Sequence, residues 1–544
     1  MTPRPPYEAV PPRRAFAWLC AIGVVVAALY GRSVLFPFIG FDDTQLIVDN
    51  RAFLADPANL PQIFRQHAWT SPTADGAGAY YRPLLILSFF WDAQWGGARP
   101  LAYHVTNLAI HAAAAFLACL LFVRLGASHL VAFFLGLVVA VHPALAEVVA
   151  WVPGRNESLL CVFVTASMLA LDRHALRRDR RSLCAHLVLS LAALLTKEHA
   201  VALVVAVPAF LRLIHGHRLG EYRRLWIGWA LVLGLWFVAR LHALRAPLPG
   251  TFADLLANAW ANALVPIHYA GKTIVPVALS IMPTSADTPV WPGLLALALL
   301  GSVLGCARAG ARRVVAWAFV WFLAFVGPTL LVPVLVGQEP RLYVPMLGLL
   351  AALSSSATRA TTRWPRAAGA TGMGILLALA AVSWLRLPDF SSRERFWESA
   401  VAASPHSSLA LVNLGSIRFE QRRYAQSESL SRRALEVDPI ARRAHNNLAV
   451  ALAQQERNAE AEVHFQREVQ LNPGYADVYF NYGTFLAATG RAEAAPNLWH
   501  EALTRAPGHR LALAALARHH LRRGETALAQ SYLDRLEAPV PSGR

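Results

Sequence analysis

Asp42 and Asp43 stand side by side in the stretch Phe41-Asp42-Asp43-Thr44-Gln45, just after the first apolar run of the chain. Carboxylates accept protons and hold cations. At a membrane boundary an ionisable group is costly, so the pair marks a functional site by default. A solvated loop turn is the alternative reading of the same two residues. Further ionisable groups fall on the same side of the apolar runs: Arg82, His104, His142, Glu147, Arg155, Lys197, Glu198, His199, Glu339 and Arg341. Scattered loop charges would give the opposite side a comparable mix of acids and histidines, but that side carries mostly arginine. A convergent polar site at one membrane boundary accounts for the difference.

These residues are positioned by long apolar segments. The 544 residues are 56% hydrophobic and only 15% charged, against about a quarter charged in ordinary soluble domains. Residues 1–388 alternate apolar runs with short basic loops, and the remainder is polar with a helical pattern. The apolar runs lie near 15–37, 102–123, 129–150, 157–172, 182–196, 199–214, 225–243, 290–306, 314–336, 342–357 and 368–387. That pattern predicts about 11 transmembrane helices, some of them short of the roughly 20 residues that cross hydrocarbon. The stretch 258–281 is apolar but interrupted by Pro266, His268, Lys272 and Pro276. It is expected to be interfacial or re-entrant, because counting it as a span would move one arginine cluster to the wrong side.

The net charge of +17 could point to nucleic acid, but the arginines cluster between apolar runs, as at Arg173–Arg181, Arg308–Arg313 and Arg359–Arg366. That is the positive-inside pattern of cytoplasmic loops and argues against a nucleic-acid partner. With the N-terminus inside and the first helix retained, the acidic pair and the other site residues fall outside. The C-terminal region then lies outside too: the periplasm if the chain sits in a bacterial inner membrane, the lumen if in the endoplasmic reticulum. The five cysteines lie in apolar runs without ligand spacing and read as small buried hydrophobes.

Prolines at 405, 439, 473, 507 and 541 recur every 34 residues, with small and bulky positions repeating between them. This is the tetratricopeptide (TPR) period. The expected organisation is thus all-α: a polytopic helical membrane domain over 1–388, a linker over 389–404, and a TPR α-solenoid of about four repeats over 405–541. Asn446 and Asn447, on the first helix of the second repeat, are candidates for clamping peptide backbone; an exposed polar face is the alternative.

Taken in order, the motifs Phe41-Asp42-Asp43, Tyr81-Arg82-Pro83-Leu84, Tyr103-His104-Val105-Thr106-Asn107 with His111, His142-Pro143 with Glu147 and Trp151, Gly154-Arg155, Thr196-Lys197-Glu198 and Arg341-Leu342-Tyr343-Val344-Pro345 resemble the transmembrane and tetratricopeptide-repeat containing (TMTC-type) proteins. Those are relatives of the protein O-mannosyltransferases of the GT-C glycosyltransferase fold. The resemblance implies a GT-C-like transferase that moves a sugar such as mannose from a polyprenyl-phosphate donor to hydroxyls of exported proteins. It also implies that Asp42 or Asp43 is the catalytic base. Such a reaction needs cations for the departing phosphate, for which Arg82, Arg155 and Arg341 are candidates, with Lys197 as a point charge. Tyr81 and Tyr343 could pack on the sugar or lipid head, or anchor the membrane interface. His104 and His111 share a helix face and suit buried hydrogen bonding; Glu147 is expected to pair with a neighbour such as Arg155. A divalent metal could sit beside two carboxylates, but no cofactor or metal is expected. The rival readings are transfer to a lipid or cell-envelope glycan, and a non-catalytic membrane-anchored TPR scaffold.

Overall fold

The computed structural model describes residues 10–68, 80–244, 251–307, 309–332 and 338–537. Every regular element described is a helix. The chain divides into two compact units, one ending at Phe396 and the other running on from Trp397.

The first unit contains α1 (Pro12–Tyr30), α2 (Pro83–Gly96), α3 (Pro100–Arg124), α4 (His129–Val141), α5 (Arg155–Arg177), α6 (Arg180–Thr196), α7 (Arg223–Leu244), α8 (Phe252–Ala261), α9 (Val265–Ile274), α10 (Trp291–Gly305), α11 (Ala309–Leu330), α12 (Tyr343–Arg363) and α13 (Pro365–Arg386). Prolines in the first turn of α1, α2, α3, α10 and α13 start these helices, where the missing N–H is an orphan anyway. Pro143 stops α4, and the chain turns by 48° into the short helix Ala146–Ala150, because proline cannot supply the next helical hydrogen bond.

The described parts of the eleven apolar runs lie mostly on helical segments, but they are not equally long or apolar. Among the described residues six helices are long and apolar enough to cross a bilayer, or seven if the bent pair counts as one. The expected count of about 11 therefore exceeds what length and composition support. Of the other four, α6 has 17 residues and α10 has 15. Residues 198–214 are divided between 3-10, α and π turns, and α12 carries Ser354-Ser355-Ser356, Thr358 and Arg359 in its second half.

Helices in lipid gain little from apolar contact as such and associate where small residues let backbones close in. Two places show this. A Cβ on Gly348 of α12 would stand 2.6 Å from the Ala318 carbonyl of α11, and one on Gly271 of α9 would stand 2.6 Å from the Gly293 nitrogen of α10. Trp317, Trp321 and Phe325 then fill one side of α11 with mutually tilted rings.

In the stretch 258–281 no described helix is long enough to cross a bilayer. Asn262 hydrogen-bonds the Leu330 and Val332 carbonyls at the end of α11, and the Ser280 amide donates to Glu339 a few residues further along. Both ends of the stretch are therefore held at the same end of the bundle. α8 and α9 have 10 residues each, about 15 Å apiece and half the hydrocarbon thickness.

The second unit is built from paired helices: α14 (Ser408–Glu420) with α15 (Tyr424–Val437), α16 (Ala444–Ala453) with α17 (Asn458–Leu471), α18 (Ala476–Ala488) with α19 (Ala495–Arg505), and α20 (Arg510–Arg522) with α21 (Thr526–Glu537). Within the stretch expected as a linker, residues Arg393–Ala403 are helical. The last expected residues of the array, 538–541, lie outside the described residues. Gly483 allows α18 to approach α19: a Cβ there would meet the Trp499 ring at 2.9 Å. Phe465, Tyr479, Phe485, Leu486 and Trp499 fill the core between successive repeats.

Candidate functional site

The acidic pair divides into two different side chains. Asp43 is buried, and its carboxylate gathers the backbone N–H groups of Gly40 (3.0 Å), Phe41 (2.9 Å) and Thr44 (3.1 Å), together with that of Ile39. Wrapping a loop this tightly needs Gly40 at a φ of +79°, a conformation glycine adopts without penalty. Burial raises the Asp43 carboxyl above its ordinary value, while the four amides pull it back down. With its lone pairs committed to the loop, Asp43 holds the backbone in place. Asp42 is only half-buried, and among the described residues it has no hydrogen-bond partner. Its carboxyl is pushed up to about 7, first by burial and then by the Asp43 charge, with Arg82 pulling the other way. A carboxyl tuned to that range is suited to exchanging protons near neutrality.

Around Asp42, cations and acids arrive from distant parts of the chain. Arg82, on the residue before α2, forks onto Glu198 at 3.0 and 3.1 Å, and Arg240 of α7 reaches the other Glu198 oxygen at 3.5 Å. Lys197 pairs with Glu157 of α5 and feels the positive charges of Arg82 and Arg341. Glu339 accepts from Lys272 of α9 and Arg386 of α13, each at 3.0 Å, and from the Ser280 amide at 2.6 Å. Glu147 is buried beside this triad. One of its oxygens has no partner, and its electrostatic neighbours are Glu339, Arg386, Lys272 and Asp42. Arg341 is half-buried with a buried Nη1 that has no partner. Among the described residues it is the one cation of this cluster without a carboxylate against it.

Several sequence candidates stand elsewhere. Arg155 does not pair with Glu147. It is buried against Asp92 of α2 at 2.6 Å and donates to Asn107, Ser88 and the Tyr103 carbonyl. Asp92 lies eleven residues before Tyr103 in the sequence, so only the packing of α2 on α3 could reveal the match. With all three of its nitrogens engaged, Arg155 locks α2, α3 and α5 together. Tyr343 is fully buried and bonds His111 at 2.6 Å, while His111 also bonds the Ala140 carbonyl at 3.0 Å. The Tyr81 hydroxyl donates to the Phe64 carbonyl at 3.0 Å, so neither tyrosine faces an open surface. His104 is buried on α3 against the Phe36 backbone.

The sequence reading missed Glu157, Lys272 and Arg386 as members of this cluster. A usable signal existed for Lys272. The chain has 50 lysines and arginines, and only two, Lys197 and Lys272, are lysines; both are buried and carboxylate-paired here. Among the described residues no three His, Cys, Asp or Glu side chains are grouped to hold a metal ion.

In the repeat unit Asn446 and Asn447 are buried and engaged. Asn447 donates to the Val412 carbonyl (3.1 Å) and Ser416 Oγ (2.9 Å) of the preceding repeat, and Asn446 accepts from Asn481 (2.9 Å) of the next. They stitch the first helices of three repeats together along a groove of about 490 Å³ that also presents Thr484, Phe419 and Phe485.

A bundle of apolar helices with a polar cluster at one end, followed by a repeat array, defines a helical membrane protein with a TPR domain. Residues 412–476 match the tetratricopeptide repeat family. The chain is also similar to "Protein O-mannosyl-transferase Tmtc1" of Drosophila melanogaster, 33% identical over 36% of this chain and 23% of the relative. It is 34% identical to "Protein O-mannosyl-transferase TMTC3" of Mus musculus over 27% of this chain and 16% of that one. The corresponding figures for "Protein O-mannosyl-transferase F38B6.6" of Caenorhabditis elegans are 32%, 30% and 23%. By these matches the chain is TMTC-like, and the matched part spans less than a quarter of these relatives' length. Among solved structures, MamA (20% identical, TM-score 0.24, 27% of this chain and 87% of that one) and YrrB, a TPR protein with an unusual peptide-binding site (18%, 0.22, 33% and 90%), are similar too weakly to add to this.

Proposed function

We propose that this protein is a GT-C-type membrane glycosyltransferase. It moves a sugar such as mannose from a polyprenyl phosphate to Ser and Thr hydroxyls of exported proteins, at the extracytoplasmic face. The observation that carries this reading is the pairing of a carboxylate, Asp42, with a cation cluster in which, among the described residues, Arg341 is the one cation without a carboxylate against it. Asp42 takes the hydroxyl proton as the acceptor oxygen attacks the anomeric carbon. The bond from that carbon to the phosphate oxygen breaks, and the guanidinium of Arg341 steadies the departing lipid phosphate through forked hydrogen bonds. Glu198, Glu157 and Glu339 hold Arg82, Lys197, Lys272 and Arg386 in place around it. A single displacement with no carboxylate nucleophile inverts the anomeric centre. The names of the similar proteins support the sugar and the protein acceptor, and the repeat groove supports a polypeptide partner.

The test is mass spectrometry of exported proteins and of lipid-linked sugars from cells expressing the wild type, Asp42→Asn or Arg341→Gln. Hexose on exported proteins in the wild type alone supports the reading. Identical glycoproteomes and lipid-phosphate-sugar levels in all three sink it.

A further inference from the structure

α8 is turned the wrong way round for a helix on a water-washed surface. Its sequence places Phe252, Leu255, Leu256 and Trp260 on one face at spacings of three, four and eight residues, and Asp254 and Asn258 on the other. In a soluble protein the apolar face would pack inward. Here the inward contacts come from asparagines: Asn258 donates to the Leu331 carbonyl at 3.3 Å, and Asn262, one residue past the helix, to the Leu330 and Val332 carbonyls at 3.2 and 3.0 Å, while Asp254 stays exposed and caps the helix with Thr251. The apolar face is left outside, with Phe252 75%, Leu256 57% and Trp260 85% exposed, and the helix has no buried residue.

What covers that face is set by where the helix is moored. Leu330 is the last residue of the apolar span α11, and Leu331 and Val332 follow it directly, so α8 lies at the level where a span leaves the hydrocarbon. Leu331, which accepts from Asn258, is itself exposed just past α11, and Trp291 and Leu294 are exposed at the start of α10, which packs on α9 through Gly271 and Gly293. Exposed tryptophans at span ends are the usual residents of the headgroup layer. A short helix with a wide apolar face and no room to cross is the form of an in-plane anchor.

We infer that α8 lies in the bilayer interface at the polar-cluster end of the membrane unit, with Phe252, Leu256 and Trp260 immersed in lipid. The occupant of the exposed stripe is the bilayer itself. Because α8 runs on into α9, which carries Lys272 to Glu339, the immersed helix fixes the depth at which the polar cluster meets the membrane surface. This placement stands whether or not the cluster transfers a sugar.

Spin labels report it on the full chain in phosphatidylcholine nanodiscs. Cys20, Cys184 and Cys306, which are exposed although their apolar runs predict burial, are replaced by serine, and single cysteines are introduced as Phe252→Cys, Leu256→Cys, Trp260→Cys and Asp254→Cys. The expected result is ready collision of labels 252, 256 and 260 with oxygen and at least tenfold weaker collision with a water-soluble nickel chelate than for a label at exposed Ser531 of the repeat unit. The label at 254 should fall out of that pattern. Labels at 256 and 260 that meet the chelate as freely as the one at 531 overturn the inference. Labels immobilised and shielded from both reagents also overturn it, since they mean that protein covers the stripe. No substrate enters the experiment, so its failure and that of the transferase reading are separable.

Discussion

Replacing Asp42 by asparagine should make the protein inactive and, above neutral pH, more stable. The two effects have one cause. The Asp42 carboxyl is pushed from an ordinary 3.8 to about 7, chiefly by burial and then by Asp43. A raised carboxyl binds its proton more tightly when folded than when unfolded. The contribution of Asp42 to stability is therefore greatest below about pH 4, falls as pH rises to about 7, and is flat above that. At about 1.4 kcal/mol per pH unit the full displacement is worth about 4 kcal/mol. Water at the half-buried carboxylate screens part of that, leaving about 1–2 kcal/mol that Asp42→Asn should recover at pH 8 and not at pH 4. Activity moves oppositely: the base works only when deprotonated, so kcat/KM should fall tenfold per pH unit below about 7. The asparagine variant should lose about 10²- to 10⁴-fold in turnover. The assay is polyprenyl-phosphate release from a synthetic donor in nanodiscs across pH 5 to 9, with thermal melting of the same samples. An Asp42→Asn protein that kept a tenth of the turnover, or melted lower than the wild type at pH 8, would refute the reasoning.

Four further outcomes follow from the same geometry. Asp43→Asn should cost about 2–3 kcal/mol, because one amide oxygen cannot replace a carboxylate that gathers four backbone donors; melting should drop at pH 8, opposite in sign to Asp42→Asn. Arg341→Lys should lower turnover about 10²-fold without lowering the melting temperature, since an ammonium cannot fork onto a phosphate and no carboxylate is left unpaired; steady-state kinetics with varied donor reads both. Arg155→Met strands buried Asp92 and should cost about 3–5 kcal/mol, most of it recovered in the Asp92→Leu/Arg155→Met pair, as thermal melting in detergent would show. Gly483→Ala drives a methyl into the Trp499 ring and should cost the repeat unit about 1–3 kcal/mol, visible as a lower denaturant midpoint for that unit's tryptophan signal.

Much of this protein was legible from residue order alone. Helical hydrophobic runs and a 34-residue proline period are local patterns, so the all-α membrane region and the repeat array could be read directly. The gathering of charges at one end was legible as well, because hydrocarbon forces ionisable groups to the boundaries. Partner choice was not. Glu147 and Arg155 are eight residues apart and look like a pair, yet Arg155 belongs to Asp92 of α2, and Glu147 faces Glu339 from far down the chain. Nor could spacing separate two adjacent aspartates. Asp43 and Asp42 differ only in which way the Gly40 turn points them, one into four backbone amides and the other toward Arg82. The sequence alone determined that ionisable residues of separate segments would gather, Asp42, Arg82, Lys197, Glu198, Glu339 and Arg341 among them, since an apolar solvent expels charge from each segment separately, but it did not single out Glu157, Lys272 or Arg386. Which of them hold one another and which stay free was decided by the tertiary structure, because a buried charge takes whichever counter-charge the helix packing brings within about 3 Å.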